Sequence, residues 1–169
     1  MRGFTIVELI VVISIISILS IIMLANYGQG RAIIKQQQSI QTLAQAVRSA
    51  QNKALGGEII NCTIPPCKYG IYIVTNSSTI SIFGDGVVLN NGEYEPGEEI
   101  EFINLEEGVL VTLITAPPAA GGIPDVRIFF EPPDPTISFR PPFGATSIVL
   151  TITGGRTVTV GTRGSVDIN

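Results

Sequence analysis

The sequence predicts an α+β protein in which one long N-terminal helix precedes an antiparallel β-rich domain. Three observations predict this order: an almost uncharged apolar run at residues 4–25, apolar residues at helical spacing as far as residue 55, and short alternating β-branched runs beyond it. With 169 residues, of which 45% are hydrophobic, the chain is long enough to bury one sizeable core. We therefore expect a single domain after the helix.

The apolar run from Phe4 to Ala25 predicts a membrane span. Its 22 residues would form a helix about 33 Å long, which is enough to cross the hydrocarbon core of a bilayer. The run contains one charged residue, Glu8, and a carboxylate inside a membrane costs about 2.5–3.5 kcal/mol and usually has a partner. A side chain that reaches the edge of the membrane is the alternative interpretation of Glu8.

Small residues at two places in the helix carry further expectations. Serines recur at every third position, at Ser14, Ser17 and Ser20, and predict either a polar seam for close helix packing or bonds back to their own helix. Gly28 and Gly30 follow the span, and each costs about 1 kcal/mol in a helix. We expect a local bend or a melted turn at these two glycines.

Residues 28–55 predict an amphipathic continuation of the helix that ends at the Gly56-Gly57 pair. The apolar positions at helical spacing are Ile33, Ile34, Ile40, Leu43, Ala44, Val47 and Ala50. This part of the chain has basic residues but no acidic ones.

Residues 56–169 predict the β domain. Alternating runs predict strands at 68–74, 79–83, 109–114, 126–130, 146–153 and 156–160. The segment from Asn76 to Ser78 predicts a turn between the first two strands, and Gly154-Gly155 predicts a two-residue hairpin turn. Prolines cluster between the runs, which places them in loops or at sheet edges.

Composition argues against two classes of function. The chain has no histidine, so an imidazole cannot serve as general base or metal ligand, and it has no G-x-S-x-G or phosphate-binding loop; we do not expect an enzyme. From residue 56 onward the chain carries 13 acidic and 5 basic residues, a net charge of −8. Such a domain is not expected to bind nucleic acid in general.

The two cysteines, Cys62 and Cys67, enclose four residues that include two prolines. This spacing predicts a small disulfide loop, and a disulfide indicates an oxidising compartment. Two free thiols in a loop are the alternative. A zinc site would need more ligands than the neighbouring sequence offers.

Residues Arg2 to Leu9, RGFTIVEL, closely resemble the processing motif of type IV prepilins and type II secretion pseudopilins. The motif consists of a short basic leader, a glycine, a phenylalanine and a glutamate four residues after the phenylalanine. The resemblance implies that prepilin peptidase cuts between Gly3 and Phe4 on the cytoplasmic side and methylates the new amine of Phe4. The implied segments are a leader at 1–3, a transmembrane and filament-core helix at 4–27, an amphipathic helix at 28–55 and an extracytoplasmic β domain at 56–169.

The same resemblance implies a minor pilin or pseudopilin, a structural subunit of a type IV pilus or a type II secretion filament. Its partners would be the peptidase, other pilin or pseudopilin subunits, and the cytoplasmic membrane, which the chain spans once before it joins an extracytoplasmic filament. The Phe4 amine of one subunit would pair with Glu8 of its neighbour in the filament core. The strand pattern resembles minor pseudopilins whose C-terminal domain consists of two packed antiparallel sheets.

Two charged sets suggest additional sites. Residues 85–107 contain eight acidic residues and no basic one, and carboxylates at this density are hard ligands suited to calcium, which some pseudopilins bind. The candidate ligands are Asp85, Glu93, Glu95 and Glu98. A solvated acidic hairpin is the alternative to a calcium site.

The second set is a group of arginines, Arg127, Arg140, Arg156 and Arg163. Related competence pilins use a basic surface to capture DNA, so a DNA-binding pilin is one alternative function. Acidic residues alternate with these arginines along the chain, and we do not expect DNA binding. A membrane-anchored binding domain that never polymerises is the other alternative.

Overall fold

The computed structural model describes residues 5–56, 68–86, 91–117, 121–131, 136–141 and 144–169, apart from the side chains of residues 25, 26 and 136. The chain divides into two compact units, Met1–Ile34 and Lys35–Asn169. The described residues form one helix and nine strands in the predicted α+β order, which is confirmed. The elements are α1 (Ile6–Leu55), β1 (Lys68–Val74), β2 (Thr79–Asp85), β3 (Glu99–Asn104), β4 (Val111–Thr115), β5 (Asp125–Glu131), β6 (Thr136–Arg140), β7 (Ser147–Ile152), β8 (Thr157–Gly161) and β9 (Val166–Ile168).

In the first unit, α1 begins after Thr5, and its backbone stays helical at Gly28 and Gly30. The prediction of a melted turn at these glycines is wrong. A helical glycine keeps both its N–H and its C=O for the helix ladder, so its cost of about 1 kcal/mol relative to alanine weakens the helix without interrupting it.

In the second unit, one face of α1 is buried in the core of the domain. The buried residues are Ser39, Ile40, Leu43, Ala44, Ala46, Val47, Ala50 and Ala54. Ile33 and Ile34 fit the same helical spacing but are exposed, and they belong to the first unit. The helix ends at Leu55, where the Gly56 N–H donates to the Asn52 carbonyl at 2.8 Å.

The strands form the two antiparallel sheets that were predicted. The five-stranded sheet has the order β3-β2-β1-β5-β6, and the four-stranded sheet has the order β4-β7-β8-β9. A single hydrophobic core contains residues from α1 and from both sheets. Its members alternate along strands such as β7, where Ile148, Leu150 and Ile152 are buried.

Both predicted turns are present, but the second is a three-residue loop rather than the two-residue turn that was predicted. Asn76 lies between β1 and β2 with a positive φ of 62°, a conformation that asparagine tolerates better than most residues. Gly154 and Gly155 join β7 to β8 with φ values of 93° and 80°. The Ile152 N–H donates to the Arg156 carbonyl at 3.0 Å, so Thr153, Gly154 and Gly155 form the loop, and the positive φ at its last two positions explains the glycine pair.

Three strands were not predicted from the sequence, and each has a local reason. β3 contains two glutamates, which are rare in strands, β6 lies between prolines, and β9 has only three residues. Each of the three gains its order from a neighbouring strand: β3 from β2, β6 from β5 and β9 from β8. The predicted strands were correct to within about two residues at their ends.

The outer face of the five-stranded sheet carries a second, aromatic cluster. The Phe83 ring packs edge-to-face on Phe129 at 5.5 Å and on Tyr94 at 5.3 Å, and Tyr94 stacks on Tyr72 at 4.5 Å between ring centroids. Gly70 lies beneath the Phe83 ring, because a Cβ at this position would be 2.3 Å from Phe83 Cζ. The close approach of the ring to β1 therefore requires glycine.

Gly70→Ala should lower the free energy of unfolding by about 1–3 kcal/mol, because the added methyl group overlaps the buried Phe83 ring. Without this overlap, alanine would stabilise a strand relative to glycine by about 0.5–1 kcal/mol, so the two explanations differ in sign. Urea unfolding of the full chain in detergent, followed by near-ultraviolet circular dichroism, measures the effect.

Gly121→Ala is the matched control, since a Cβ there would meet no heavy atom within 4 Å. If Gly70→Ala were as stable as the wild type, the described packing of Phe83 over β1 would be contradicted.

Candidate assembly segment and charged surface sites

The first turn of α1 is fixed by reciprocal hydrogen bonds between Thr5 and Glu8. The Thr5 N–H and the Thr5 hydroxyl both donate to Glu8 Oε2 at 3.0 Å, and the Glu8 N–H donates back to Thr5 Oγ1 at 3.3 Å. This is a capping box, in which a threonine and a glutamate three residues later satisfy the free donors of a helix N-terminus. The Thr-x-x-Glu pattern ahead of an apolar run was readable in the sequence, but sequence analysis missed it.

The segment after this cap is apolar and uncovered. The side chains of residues 5–24 are all exposed, and they include sixteen consecutive positions, 9–24, without a charged residue. Large exposed side chains lie all around the helix, among them Ile6, Ile10, Ile13, Ile18 and Leu24. A helix that is apolar on every face is found inside a membrane or inside a larger assembly.

The three serines of this segment bond to their own helix. Ser14, Ser17 and Ser20 each donate to the carbonyl four residues earlier, that of Ile10, Ile13 and Ile16 respectively, at 2.8 Å. These bonds correspond to the second role predicted for the serines, which was bonding back to their own helix. The hydroxyl protons are satisfied without a neighbouring helix, so the serines allow close packing without requiring it.

A tyrosine and an arginine mark the end of the apolar segment. The Arg31 guanidinium lies 4.5 Å from the centre of the Tyr27 ring and donates to the Tyr27 hydroxyl at 2.8 Å. Aromatic and basic residues of this kind gather where a transmembrane helix meets the headgroups of the membrane. Sequence analysis missed the pair, although its spacing of four residues was visible.

The four candidate calcium ligands do not share one binding centre. Asp85 accepts from the Gly92 N–H at 3.1 Å, Glu93 pairs with Arg127 at 3.1 Å, Glu95 accepts from Asn91 at 3.1 Å, and Glu98 accepts from the Glu95 N–H at 3.1 Å. Among the residues that the structure describes, no three acidic side chains form a group that could hold a metal ion. Calcium binding stays a prediction.

Asp85 and Glu93, together with Arg140 and Glu99, link the segment of residues 91–98 to the five-stranded sheet. The Arg140 guanidinium donates to the Asn91 carbonyl at 3.2 Å, and the Tyr94 hydroxyl donates to Glu99 at 2.6 Å. Burial and the hydrogen bond to Glu99 raise the pKa of Tyr94 to about 12. The same hydrogen bond lowers the pKa of Glu99.

The four candidate DNA-binding arginines lie on different sheets. Arg127 and Arg140 are register partners on β5 and β6 of the five-stranded sheet, whereas Arg156 and Arg163 lie in turns of the four-stranded sheet. Arg127 pairs with Glu93 at 3.1 Å and with Asp125 at 3.3 Å. Two of the four guanidinium groups are therefore engaged within the domain.

Four predicted site residues cannot be placed. Gly3 and Phe4, which flank the expected cleavage site, lie outside the described residues. Cys62 and Cys67 lie outside them as well, so the disulfide stays a prediction.

Asp85 gives the domain a specific pH dependence. Its side chain is 1% exposed, and burial raises its pKa, although the Gly92 and Asn91 amides and the charges of Lys68 and Arg140 oppose the shift. The folded protein therefore holds this proton more tightly than the unfolded chain, whose aspartate pKa is about 3.9. The resulting stability is complete below that value and is lost as the pH rises through the raised pKa.

Asp85→Asn should therefore remove one contribution to the pH dependence of stability: as the pH rises from about 3.9, the free energy of unfolding of the wild type should fall relative to that of the variant. Urea unfolding of both full-length proteins at increasing pH gives the difference between the curves. Glu107→Gln, which alters an exposed carboxylate, is the control. Parallel curves for the wild type and Asp85→Asn would contradict the assignment.

Comparison with known families bears on the N-terminal segment. Residues 1–24 match the prokaryotic N-terminal methylation motif. No curated protein and no solved structure matches the chain significantly. The match covers the stretch RGFTIVEL, in which the resemblance to prepilins was seen.

The structure also contains a candidate membrane span. Among the described residues, one helix, Ile6–Leu55, is long and apolar enough to cross a membrane by its length and composition. The motif and the helix together support membrane anchoring by a single span, processing by a peptidase and assembly with other pilin subunits. They point to a structural protein rather than an enzyme. The chain thus carries the type IV prepilin-like signature over residues 1–24, which supports a type IV pilin-like or pseudopilin protein.

Proposed function

We propose that the protein is a minor pilin or pseudopilin, a structural subunit of a type IV pilus or a type II secretion filament. One observation carries this proposal: the methylation motif at residues 1–24 leads directly into a helix whose apolar side chains have no cover in their own unit of the chain. Lipid covers such a helix before assembly. Neighbouring helices cover it in a filament.

In this proposal, prepilin peptidase removes residues 1–3 and methylates the new N-terminus at Phe4. A free α-amine has a pKa of about 7.7–8.0, so the new terminus is largely cationic at neutral pH. Cleavage therefore creates a positive charge four residues from Glu8. The β domain lies outside the cytoplasm in this arrangement.

The geometry of Glu8 suits a partner of this kind. Both hydrogen bonds from Thr5 go to Glu8 Oε2, and Oε1 accepts none from the described residues. A carboxylate has about four acceptor positions, so Oε1 can receive an ammonium group without loss of the capping box. We assign that ammonium group to the Phe4 amine of the neighbouring subunit.

The pairing would decide which helices assemble and in what register. Moving an apolar helix from lipid to a helix bundle gains packing but little additional hydrophobic free energy. A buried carboxylate without a partner is strongly unfavourable, whereas one paired with an amine is tolerated. Subunits in the correct axial register are therefore favoured over misaligned ones.

Three variants separate the charge of Glu8 from its role in the capping box. Glu8→Ala removes both, Glu8→Gln keeps the capping box and removes the charge, and Thr5→Ala keeps the charge and removes the cap at a cost of about 1 kcal/mol. If the charge is needed, both Glu8 variants should be inserted and processed but incorporated poorly, by about tenfold or more. Thr5→Ala should be incorporated well. Quantitative immunoblotting of sheared filaments and of membranes in the native host measures the ratio.

Normal incorporation of Glu8→Gln would refute the charge pairing. Failure of Thr5→Ala together with success of Glu8→Gln would assign the role of Glu8 to helix capping alone. Membrane fractions and the mass of each variant show whether it was inserted and cleaved, so a processing defect is not mistaken for an assembly defect.

A further inference from the structure

The two sheets have four edge strands, and in the described part of the chain β3 is the one whose outer edge makes no hydrogen bond. The outer edges of β6, β9 and β4 each make a hydrogen bond with a residue outside their sheet. In β6 the Ile137 N–H donates to the Thr162 carbonyl at 3.4 Å, in β9 the Val166 carbonyl accepts from Arg48 at 3.3 Å, and in β4 the Ile114 carbonyl accepts from the Ile123 N–H at 2.9 Å. Proteins commonly protect sheet edges in these ways. β3 contains neither proline nor lysine.

The register of β3 shows which of its backbone groups point away from the sheet. The Leu105 N–H donates to the Ser78 carbonyl at 2.8 Å, and Thr79 lies opposite Asn104. In an antiparallel ladder, hydrogen-bonded and non-hydrogen-bonded pairs alternate, so the pairs Thr79–Asn104 and Ser81–Phe102 are not hydrogen-bonded. The N–H and C=O groups of Phe102 and Asn104 therefore point outward.

The side chains of β3 add apolar area to this edge. Phe102 is 58% exposed, and Ile100 is 41% exposed. A large aromatic side chain in a strand is usually half-buried by a cross-strand neighbour on each side, but Phe102 has such a neighbour, Ser81, on one side alone. An added strand would supply the missing neighbour.

The negative charge near the edge of β3 favours some added strands over others. The side chains of Glu101 and Glu106 are exposed, and neither carboxylate has a hydrogen bond or ion pair in the described part of the chain, although the Glu106 N–H donates to Ser39 Oγ at 3.0 Å. If two copies of β3 paired antiparallel about Phe102, their Glu101 side chains would be diagonal neighbours about 7–8 Å apart, within the range of electrostatic repulsion. A strand with lysine or arginine at alternate positions would meet attraction instead.

We propose that β3 is a docking edge for a strand from a different protein, one that is extended, apolar on one face and basic on the other. The added strand would form main-chain hydrogen bonds with Phe102 and Asn104, and its basic residues would lie near Glu101 and Glu106. Main-chain pairing of this kind supplies affinity, and the charges supply specificity against a second copy of this chain. The inference does not depend on the filament role.

The test uses the full chain in detergent and two short synthetic peptides, one of alternating lysine and valine and one of alternating glutamate and valine. The lysine peptide should bind saturably and slow hydrogen exchange at the Phe102 and Asn104 amides, and the glutamate peptide should do neither. Phe102→Pro removes one outward N–H and should weaken binding by about tenfold or more, since proline is tolerated where a strand N–H faces solvent. Fluorescence anisotropy of labelled peptide measures the affinity.

Further variants separate the contributions of the Phe102 ring, the outward backbone groups and the glutamate charges. Phe102→Ser keeps the N–H and isolates the contribution of the ring, and Asn104→Pro repeats the backbone test at the next outward position. Glu101→Gln combined with Glu106→Gln should weaken binding and reduce its dependence on salt. Thermal unfolding confirms that each variant is folded.

Three results would overturn the proposal. The first is an affinity unchanged in both proline variants, which would reduce binding to nonspecific charge attraction. The second is the absence of saturable binding of the lysine peptide. The third is self-association of the wild-type chain that Phe102→Pro abolishes, because the edge would then accept a second copy despite its charge.

Discussion

The organising constraint of this protein is an apolar helical segment that the described residues of its own unit do not cover. Residues 9–24 carry no charged side chain, and their side chains are exposed on every face of α1. Exposed apolar area of this extent is stable only in lipid or against other apolar helices. The processing motif, the capping residue Glu8 and the Tyr27–Arg31 pair are all consistent with a segment that moves from lipid to a bundle of apolar helices.

In the second unit, the same helix contributes one face to the hydrophobic core. From Ser39 onward, one face of α1 is buried, and its small side chains, among them Ala44, Ala50 and Ala54, lie in the same core as both sheets. The strands therefore do not form a complete core without the helix. Among the described residues, the outer edge of β3 and the nearby carboxylates of Glu101 and Glu106 offer backbone and charge to an added strand.

Sequence periodicity was sufficient for α1 and for most strands, because the packing of these elements follows a simple alternation of apolar and polar residues. It was insufficient for β3, β6 and β9, whose order comes from neighbours distant in sequence. The candidate calcium ligands and the candidate DNA-binding arginines illustrate the same limit. The members of each set are close in sequence or similar in type, but in the structure Glu93 of the first set pairs with Arg127 of the second. The Thr5–Glu8 capping box was readable from local spacing alone, whereas the burial of Asp85 depends on long-range packing.

The central claim is that cleavage before Phe4 creates the cation that Glu8 requires. Mass spectrometry of the intact protein and of its N-terminal peptide, purified from the native host, tests this most directly. The account predicts a chain that begins at Phe4 and carries one additional methyl group on its amine. A chain that begins at Met1, or at a residue beyond Tyr27, would contradict it.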